Sequence, residues 1–183
     1  FLEMEYDGYY SQMHMPEARI KEGGAKKRYV GFKQVNGKAE LTFVGMEAVR
    51  SDWTKLAKRY QHELYRRLFQ NEEIDQWLLD FIEQIKAGEF DAEMVYHKRL
   101  KKTVAEYTSH VPPQVRAAQL LGKQVKEVDY VITKRGPIPI QHPHADLDYQ
   151  HYLEKQIRPI TDTALQPLGK SYQSITETQL SLF

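Results

Sequence analysis

The pattern of apolar and polar positions predicts a β-rich beginning and a mainly helical remainder. Residues 2–15 partly alternate between apolar and polar side chains, which favours a strand. Two further short strands are predicted at 28–33 and 39–44, joined through Asn36-Gly37, because both of these residues tolerate the positive φ of a tight hairpin turn. The fold class is therefore α+β, with a small antiparallel β part first.

Two amphipathic helices should follow. In the first, apolar residues recur at steps of three or four, at Val49, Trp53, Leu56, Tyr60, Leu64 and Leu68. The second carries Ile74, Trp77, Leu78, Phe81, Ile82 and Ile85 and should end at Gly88. This reading places Asp52 in the first helical turn. Arg50 and Asp52 are two residues apart and would not share a helical face, so each is expected to pair with another group.

The later elements are shorter. The segment 94–100 can be a strand or a short helix. Three more elements are predicted, namely a helix after Pro112-Pro113, a strand over 128–133 that stops at Gly136-Pro137, and a helix over 147–160. Residues 171–178 are mainly Ser, Thr, Gln and Glu with almost nothing to bury, which predicts a flexible linker.

Composition excludes several classes of protein. A chain of 183 residues with 41% hydrophobic residues can build a core, which argues against wholesale disorder. It has no cysteine, hence no disulfide or thiolate metal site, and this fits a reducing cytosol. No apolar run approaches the ~20 residues that would span a bilayer. Because the chain begins at Phe1 within a strand-like pattern, we interpret it as a piece of a longer protein.

The net charge of +1 conceals a strong segregation of charge along the chain. Residues 71–93 contain one lysine against eight acidic residues, whereas residues 94–135 contain nine basic residues against three acidic ones. Such blocks can indicate a face offered to a polyanion and another turned away from it. They can equally be solvated helix faces, and charge alone leaves both readings open.

Two basic segments are candidates for binding nucleic acid. The first is Lys26-Lys27-Arg28-Tyr29, where three cations could meet successive phosphates and the tyrosine could pack on a sugar or base. The second contains Lys98, Arg99, Lys101 and Lys102, which suit contacts to a sugar–phosphate backbone without reading its sequence. Each could also be an ordinary solvated surface.

The last five residues are the third candidate. They are Gln179, Leu180, Ser181, Leu182 and Phe183, and three of them are large and apolar. Burying each apolar side chain is worth about 1.5–3 kcal/mol, which suits a peptide that anchors in a hydrophobic pocket of a partner. The alternative is a terminal segment docked on its own domain.

In this order the motifs resemble family-B DNA polymerases, and among them the bacterial DNA polymerase II group. The resemblance rests on Lys26–Tyr29, the run from Gly45 to Trp53, the run from Val95 to Leu100 with Tyr107, the run from Val111 to Ala118, and the run from Leu147 to Ile157. Two positions depart from the family pattern: Ser51 replaces a usual arginine, and His97 replaces a residue that is often more basic.

The resemblance implies a domain layout and a set of partners. Residues 1–45 would end the palm, 46–170 would form the thumb, and 171–183 would be a tail that binds the bacterial sliding clamp. Primer–template duplex DNA would be held by Lys26, Lys27, Arg28, Tyr29, Arg50, Lys98, Arg99, Lys101, Lys102, Tyr107 and Arg116. The parent would be a DNA-directed DNA polymerase acting in replication or repair in the bacterial cytoplasm, at the nucleoid.

The same resemblance assigns the chemistry elsewhere. Its two Mg²⁺ ions would be held by palm aspartates outside these residues, so this part alone should be inactive and need no cofactor. The Asp146-Leu147-Asp148 sequence is interpreted as charge at a helix N-terminus, and His142 and His144 as loop residues, although a metal site is conceivable for both groups. The rival hypotheses are a complete nucleic-acid-binding module with a partner-recruiting tail, and a helical protein–protein adaptor.

Overall fold

The structure, a computed structural model, describes residues 9–16, 27–108, 111–122 and 125–180. The strands are β1 (Gln12–His14), β2 (Tyr29–Val35), β3 (Lys38–Val44), β4 (Tyr96–Arg99), β5 (Glu127–Thr133) and β6 (Gly136–Pro139). The helices are α1 (Lys55–Phe69), α2 (Asp75–Lys86), α3 (Pro113–Leu121), α4 (Tyr149–Tyr152), α5 (Arg158–Leu165) and α6 (Tyr172–Leu180). A π-helical stretch, Leu153–Ile157, joins α4 to α5, and 3₁₀ turns occupy Glu47–Val49, Asp91–Glu93, Val104–Glu106 and Gln166–Leu168.

Two three-stranded antiparallel sheets, ordered β1-β2-β3 and β4-β5-β6, confirm the α+β class. The predicted hairpin is confirmed, with β2 paired to β3 from Tyr29↔Val44 to Val35↔Lys38. Its turn residues Asn36 and Gly37 have φ of 52° and 74°, the positive values that a two-residue hairpin turn needs. Of the predicted first strand only Gln12–His14 is observed, and Leu2, Met4 and Tyr6 lie outside the described residues.

Helix α1 lies between the first sheet and the other helices. The β2 and β3 residues Phe32 and Phe43 contact its Phe69 and Tyr65, with ring centroids 5.5 and 5.9 Å apart. On its other side Tyr60 stacks on Trp77 of α2, with ring centroids 5.3 Å apart. One hydrophobic core therefore extends through both sheets and the helices.

The predicted start of α1 was wrong. Thr54, not a residue near Val49, is the N-cap, and its side-chain oxygen accepts from the Ala57 N–H at 3.3 Å. Val49 stays 56% exposed although it fits the apolar spacing. The capping threonine fixes the first turn of the helix. The apolar spacing continues into the non-helical turn before Thr54, and for this reason the predicted helix began too early.

The C-terminal region also differs from its prediction. Residues 172–180 form α6 where a flexible linker was expected over 171–178. Tyr172 and Ile175, three residues apart, are 8% and 6% exposed, and the Tyr172 N–H donates to Asp162 Oδ1 at 2.7 Å. Two buried apolar residues on one helical face are sufficient to dock a helix against α2 and α5.

Other predictions had mixed outcomes. Helix α2 and its end near Gly88, which has φ of 82°, are confirmed, and the ambiguous 94–100 segment contains strand β4. Strand β6 was missed, because Gly136-Pro137 was interpreted only as a stop. Pro137 is tolerated there because β6 is an edge strand of its sheet. No helix in the described ranges is long and apolar enough to cross a membrane.

Candidate nucleic-acid interface

In the first basic segment, the side chain of Arg28 points inward to a buried carboxylate and Lys27 is exposed to solvent. Arg28 donates from Nη2 to Glu47 Oε1 at 2.9 Å and from Nε to the Gly45 carbonyl at 3.3 Å. Glu47 is only 2% exposed, and its Oε2 also accepts from Gln61 Nε2 at 2.9 Å. Arg28 thus neutralises a buried carboxylate, whereas Lys27 is exposed and Lys26 lies outside the described residues.

Gly45 sets the path of the chain at this point. Its φ is +63°, and a Cβ there would lie 2.4 Å from the Lys27 carbonyl oxygen. Both the positive φ and the close approach require glycine. The backbone of Lys27 is thereby held against the turn that carries Glu47.

A second ion cluster joins the end of this turn to β4. Asp52 accepts from Arg50 Nε and Nη2 at 3.0 and 2.9 Å, and Lys98 Nζ lies 3.3 Å from Asp52 Oδ2. The expectation that Arg50 and Asp52 pair with other groups was wrong for Arg50. Residues 50–53 are not helical, so side chains two apart can meet.

The charges around Asp52 also show in its protonation. Partial burial acts to raise its pKa, but the hydrogen bond from Arg50 and the positive charge of Lys98 outweigh this and lower the pKa below 3.8. Asp52 is therefore ionised at neutral pH and holds both cations. We call Arg28, Glu47, Arg50, Asp52 and Lys98 the junction cluster.

Strand β4 places the side chains of Lys98 and Arg99 on opposite faces of its sheet. Successive side chains of a strand point to opposite faces. Tyr96 is buried and stacks on Tyr130, so Lys98 shares the face toward the core. Arg99 lies on the other face with His97, whose Nδ1 is 2.5 Å from Asp129 Oδ1. The four cations predicted as one group therefore form two.

The second group lines a cleft of about 500 Å³. We call it the basic cleft; its lining residues are Arg99, Leu100, Lys101, Lys102, Thr103, Glu106, Val125 and Lys126. Its single carboxylate, on Glu106, accepts from the Thr103 N–H and hydroxyl at 2.7 and 2.6 Å. Within the described ranges, none of its four cations makes an ion pair. Lys126 was missed from sequence, although it lies within the basic block 94–135.

The acidic block serves mostly to neutralise cations within the fold. Arg66 and Arg67 of α1 pair with Glu72, and Arg59 pairs with Glu93 at 2.6 Å. Further pairs join Lys86 to Glu83 and Lys170 to Asp75. The segregation seen in the sequence thus becomes, in part, internal pairing on the α1–α2 side.

The remaining predicted contacts are dispersed. Tyr29 is partly buried, with its ring 6.4 Å from that of Tyr10. Tyr107 packs against the core, and exposed Arg116 donates to the Val111 carbonyl at 3.3 Å. No hydrogen bond or ion pair links Tyr29, Tyr107 or Arg116 to the junction cluster in the part of the chain that is described.

The predicted tail can be placed only in part, whereas the residues considered and set aside as metal ligands all lie among the described residues. Gln179 and Leu180 end α6, while Ser181, Leu182 and Phe183 lie outside the described residues. Asp148 caps α4 by accepting from the His151 N–H at 3.1 Å, which confirms its role at a helix N-terminus.

Asp146 accepts from Arg135 Nε and Nη2 at 3.2 Å each. Across residues 9–16, 27–108, 111–122 and 125–180, no group of three or more His, Cys, Asp or Glu could hold a metal ion. The described residues therefore do not fit a Mg²⁺ site.

Comparison with known proteins identifies the family of the chain. A sequence model described as DNA polymerase family B matches residues 2–168. The chain is 38% identical to DNA polymerase II of Escherichia coli strain K12 over its whole length, which covers 25% of that protein. It is 32% identical to DNA polymerase 2 of Aeropyrum pernix, with 85% of this chain and 20% of that protein aligned.

A third relative, the DNA polymerase of Thermococcus aggregans, is 26% identical over 92% of this chain and 10% of that protein. The chain thus spans a quarter or less of the length of these relatives. The match to the family model covers most of the 183 residues. The chain therefore belongs to DNA polymerase family B.

Proposed function

We propose that this chain is the duplex-holding part of a DNA-directed DNA polymerase of the DNA polymerase II type, active in replication or repair synthesis in the bacterial cytoplasm, at the nucleoid. Residues 1–45 end its palm and 46–170 form its thumb. The observation that carries the proposal is the meeting of Arg50 and Lys98, 48 positions apart, on the single carboxylate of Asp52.

The same region supports a continuous basic surface. Glu47, which binds Arg28, and Asp52, which binds Lys98, are five residues apart. Five residues span at most ~17 Å, which limits the separation of the Glu47 and Asp52 backbones to about that distance. Exposed Lys27 adjoins Arg28 in the chain, and it is proposed to extend the basic surface that Arg50 and Lys98 begin.

The chemistry suits backbone binding without sequence reading. Arg50 and Lys98 can reach phosphate oxygens while Asp52 keeps them oriented, and such contacts carry no base information. Arg28 acts differently, because its guanidinium supports the turn that carries Glu47. Lys26, Tyr29, Tyr107 and Arg116 remain proposed contacts.

Salt-dependent duplex binding tests this proposal. Binding of a fluorescent DNA duplex to the chain is measured at several salt concentrations, because each neutralised phosphate makes the slope of log K against log salt more negative by about 0.9. Removing Arg50 and Lys98 together should make this slope less negative by about 2. Lys86→Ala, on the acidic α2 helix, is the matched control and should leave the slope unchanged. Equal slopes for all three proteins would reject duplex holding by the junction cluster.

Nucleotidyl transfer belongs to the rest of the proposed parent. The two-metal mechanism expected for the parent polymerase would need Mg²⁺ and dNTPs, and the carboxylates that hold the metal ions would come from outside these residues. Purified as the 183-residue chain, the protein should bind duplex and incorporate no nucleotide. Incorporation of labelled dNTP by this chain would contradict that division.

The C-terminal pentapeptide is proposed to bind the bacterial sliding clamp. Gln179 would enter a polar subsite, and Leu180, Leu182 and Phe183 would fill an apolar pocket, with Ser181 between them. Tethering would raise the effective concentration of DNA at the polymerase and make a weak grip processive. Deleting Leu182 and Phe183 should abolish clamp association and leave duplex affinity unchanged. Equal clamp binding by the truncated chain would reject this role.

A further inference from the structure

Gln61 is a buried polar residue at a core position of α1. It is fully buried, as are Ala57 and Leu64, which lie four residues before it and three residues after it on the same side of the helix. Both ends of its amide are used, because Oε1 accepts from the Ala48 N–H at 2.7 Å and Nε2 donates to Glu47 Oε2 at 2.9 Å. An apolar side chain would fill the same space, so what the glutamine adds is the direction of its two hydrogen bonds.

These two bonds hold the 3₁₀ turn Glu47–Val49 from outside its own segment. The first N–H groups of a helical turn have no partner within the turn, and a side chain just before it commonly accepts from them. Met46 occupies that place, is fully buried and makes no capping hydrogen bond. Gln61 supplies the acceptor instead, from a position thirteen residues after Ala48. The turn is thus fastened to the middle of α1.

The turn leads directly to Arg50. The Arg50 N–H donates to the Glu47 carbonyl at 3.0 Å, and the Arg50 guanidinium binds the Asp52 carboxylate. The Arg50 side chain is 52% exposed, so it is accessible to a ligand although its backbone is anchored. Three hydrogen-bonded steps therefore connect α1 to this cation: Gln61 to the turn, the turn to the Arg50 backbone, and Arg50 to Asp52.

We propose that Gln61 is a positioning residue for Arg50, the cation with which the junction cluster is proposed to hold a phosphate of the duplex. The inference rests on the proposed duplex-holding function and adds a residue that has no charge and is closed off from DNA by burial. Gln61 holds the turn, and the turn fixes where the Arg50 side chain leaves the backbone. An arginine that is already held in place loses less conformational freedom when it meets a phosphate. Without Gln61 the charge of Arg50 would remain but would be poorly placed.

The test separates the position of Arg50 from its charge. Gln61→Met replaces the amide by an apolar side chain of similar length and changes no charge. Duplex binding by the 183-residue chain is measured at several salt concentrations for Gln61→Met, for Arg50→Ala and for the double variant. Gln61→Met should weaken binding about three- to tenfold at fixed salt and make the slope of log K against log salt less negative by up to about 0.9, the contribution of one phosphate. In the Arg50→Ala background the same substitution should change neither quantity, because the cation that it positions is gone.

Two further variants distinguish positioning from a loss of stability. Thr161→Val removes the buried hydrogen bond between the Tyr60 and Thr161 hydroxyls, which are 2.7 Å apart, and Tyr60 adjoins Gln61 on α1. This matched control should leave duplex affinity unchanged. Gln61→Asn keeps an amide but is one methylene too short for both bonds, and it replaces Gln61→Met in the cycle if the methionine variant is unfolded. Circular dichroism establishes that each variant is folded before its binding is measured.

The other outcomes overturn the inference. Equal losses of affinity for Gln61→Met and Thr161→Val would assign the effect to stability, and equal losses with and without Arg50 would show that Gln61 does not act through it. If Arg50→Ala makes the slope less negative and the Gln61 variants do not, the inference fails and the proposed function stands. If Arg50→Ala itself leaves affinity and slope unchanged, both fail.

Discussion

Arg28 donates from Nη2 to the Glu47 carboxylate at 2.9 Å, and Glu47 is almost wholly removed from solvent. A buried carboxylate is tolerated only when it is paired and hydrogen-bonded. Glu47 also accepts a hydrogen bond from Gln61. The first basic segment therefore contributes to the fold as well as to surface charge. A cation chosen from sequence as a phosphate contact proves to be the counter-ion of a buried acid.

Arg28→Ala should destabilise the chain by about 3 kcal/mol or more, because it removes one positive charge and one hydrogen bond from the buried Glu47 carboxylate. The free energy of unfolding from urea titration measures the effect. Lys27→Ala removes an exposed charge one residue away and should change the free energy by less than about 0.5 kcal/mol. The double variant Arg28→Ala/Glu47→Gln should recover part of the loss. Equal stabilities for Arg28→Ala and Lys27→Ala would contradict the pairing.

The Thr54 hydroxyl joins the start of α1 to the π-helical stretch. It accepts from the Ala57 N–H and donates to Gln156 Oε1, and both side chains are buried. Thr54→Val keeps the shape but removes the cap and leaves Gln156 unpaired, which should cost about 1–3 kcal/mol. Thr54→Ser keeps the hydroxyl and should cost less. Urea midpoints at constant m-value compare the two, and an unchanged midpoint for the valine variant would rule out this role.

Local signals explain which elements were predictable. The hairpin was found because Asn36-Gly37 is a turn signal that needs no distant partner. The start of α1 was misplaced because Val49 and Trp53 fit its spacing, whereas the threonine cap that begins the helix is followed by no glutamate to mark it. Helix α6 was missed because, over 172–177, where burial is described, only Tyr172 and Ile175 are buried.

The site depended on tertiary contacts. The sequence identified both basic segments, and strand alternation within 94–100 would have separated Lys98 from Arg99 had the strand been chosen. No local sequence pattern indicates that Asp52 forms an ion pair with Lys98 or that Glu47 forms one with Arg28, because each pair depends on how distant parts of the chain pack. Whether these cations bind DNA stays a prediction.

His151 should make stability depend on pH near neutrality. Burial lowers its pKa below 6.5; the Asp148 charge opposes this shift and the Lys155 charge adds to it. The unfolded chain then binds a proton more readily than the folded one, so stability is complete above pH 6.5 and falls as the pH drops below it.

The pH dependence of urea midpoints between pH 7.5 and 5 measures this effect. His151→Gln should flatten the curve. His62→Gln, an exposed histidine on α1, controls for the substitution itself. An equally steep curve for His151→Gln would assign the dependence to another group.

Helix α6 should be held by Ile175. Ile175 is 6% exposed, and replacing a buried isoleucine by alanine typically costs 2 kcal/mol or more. Since every 1.4 kcal/mol is a factor of ten, the backbone amides of 176–180 should exchange with solvent about thirtyfold faster in Ile175→Ala. Gln173→Ala, on the exposed face of the same helix, should leave their exchange nearly unchanged. If these amides exchanged at unprotected rates in the wild-type chain, the region would be the flexible linker that composition suggested, and the proposed clamp-binding residues would begin from a free tail instead of from a docked helix.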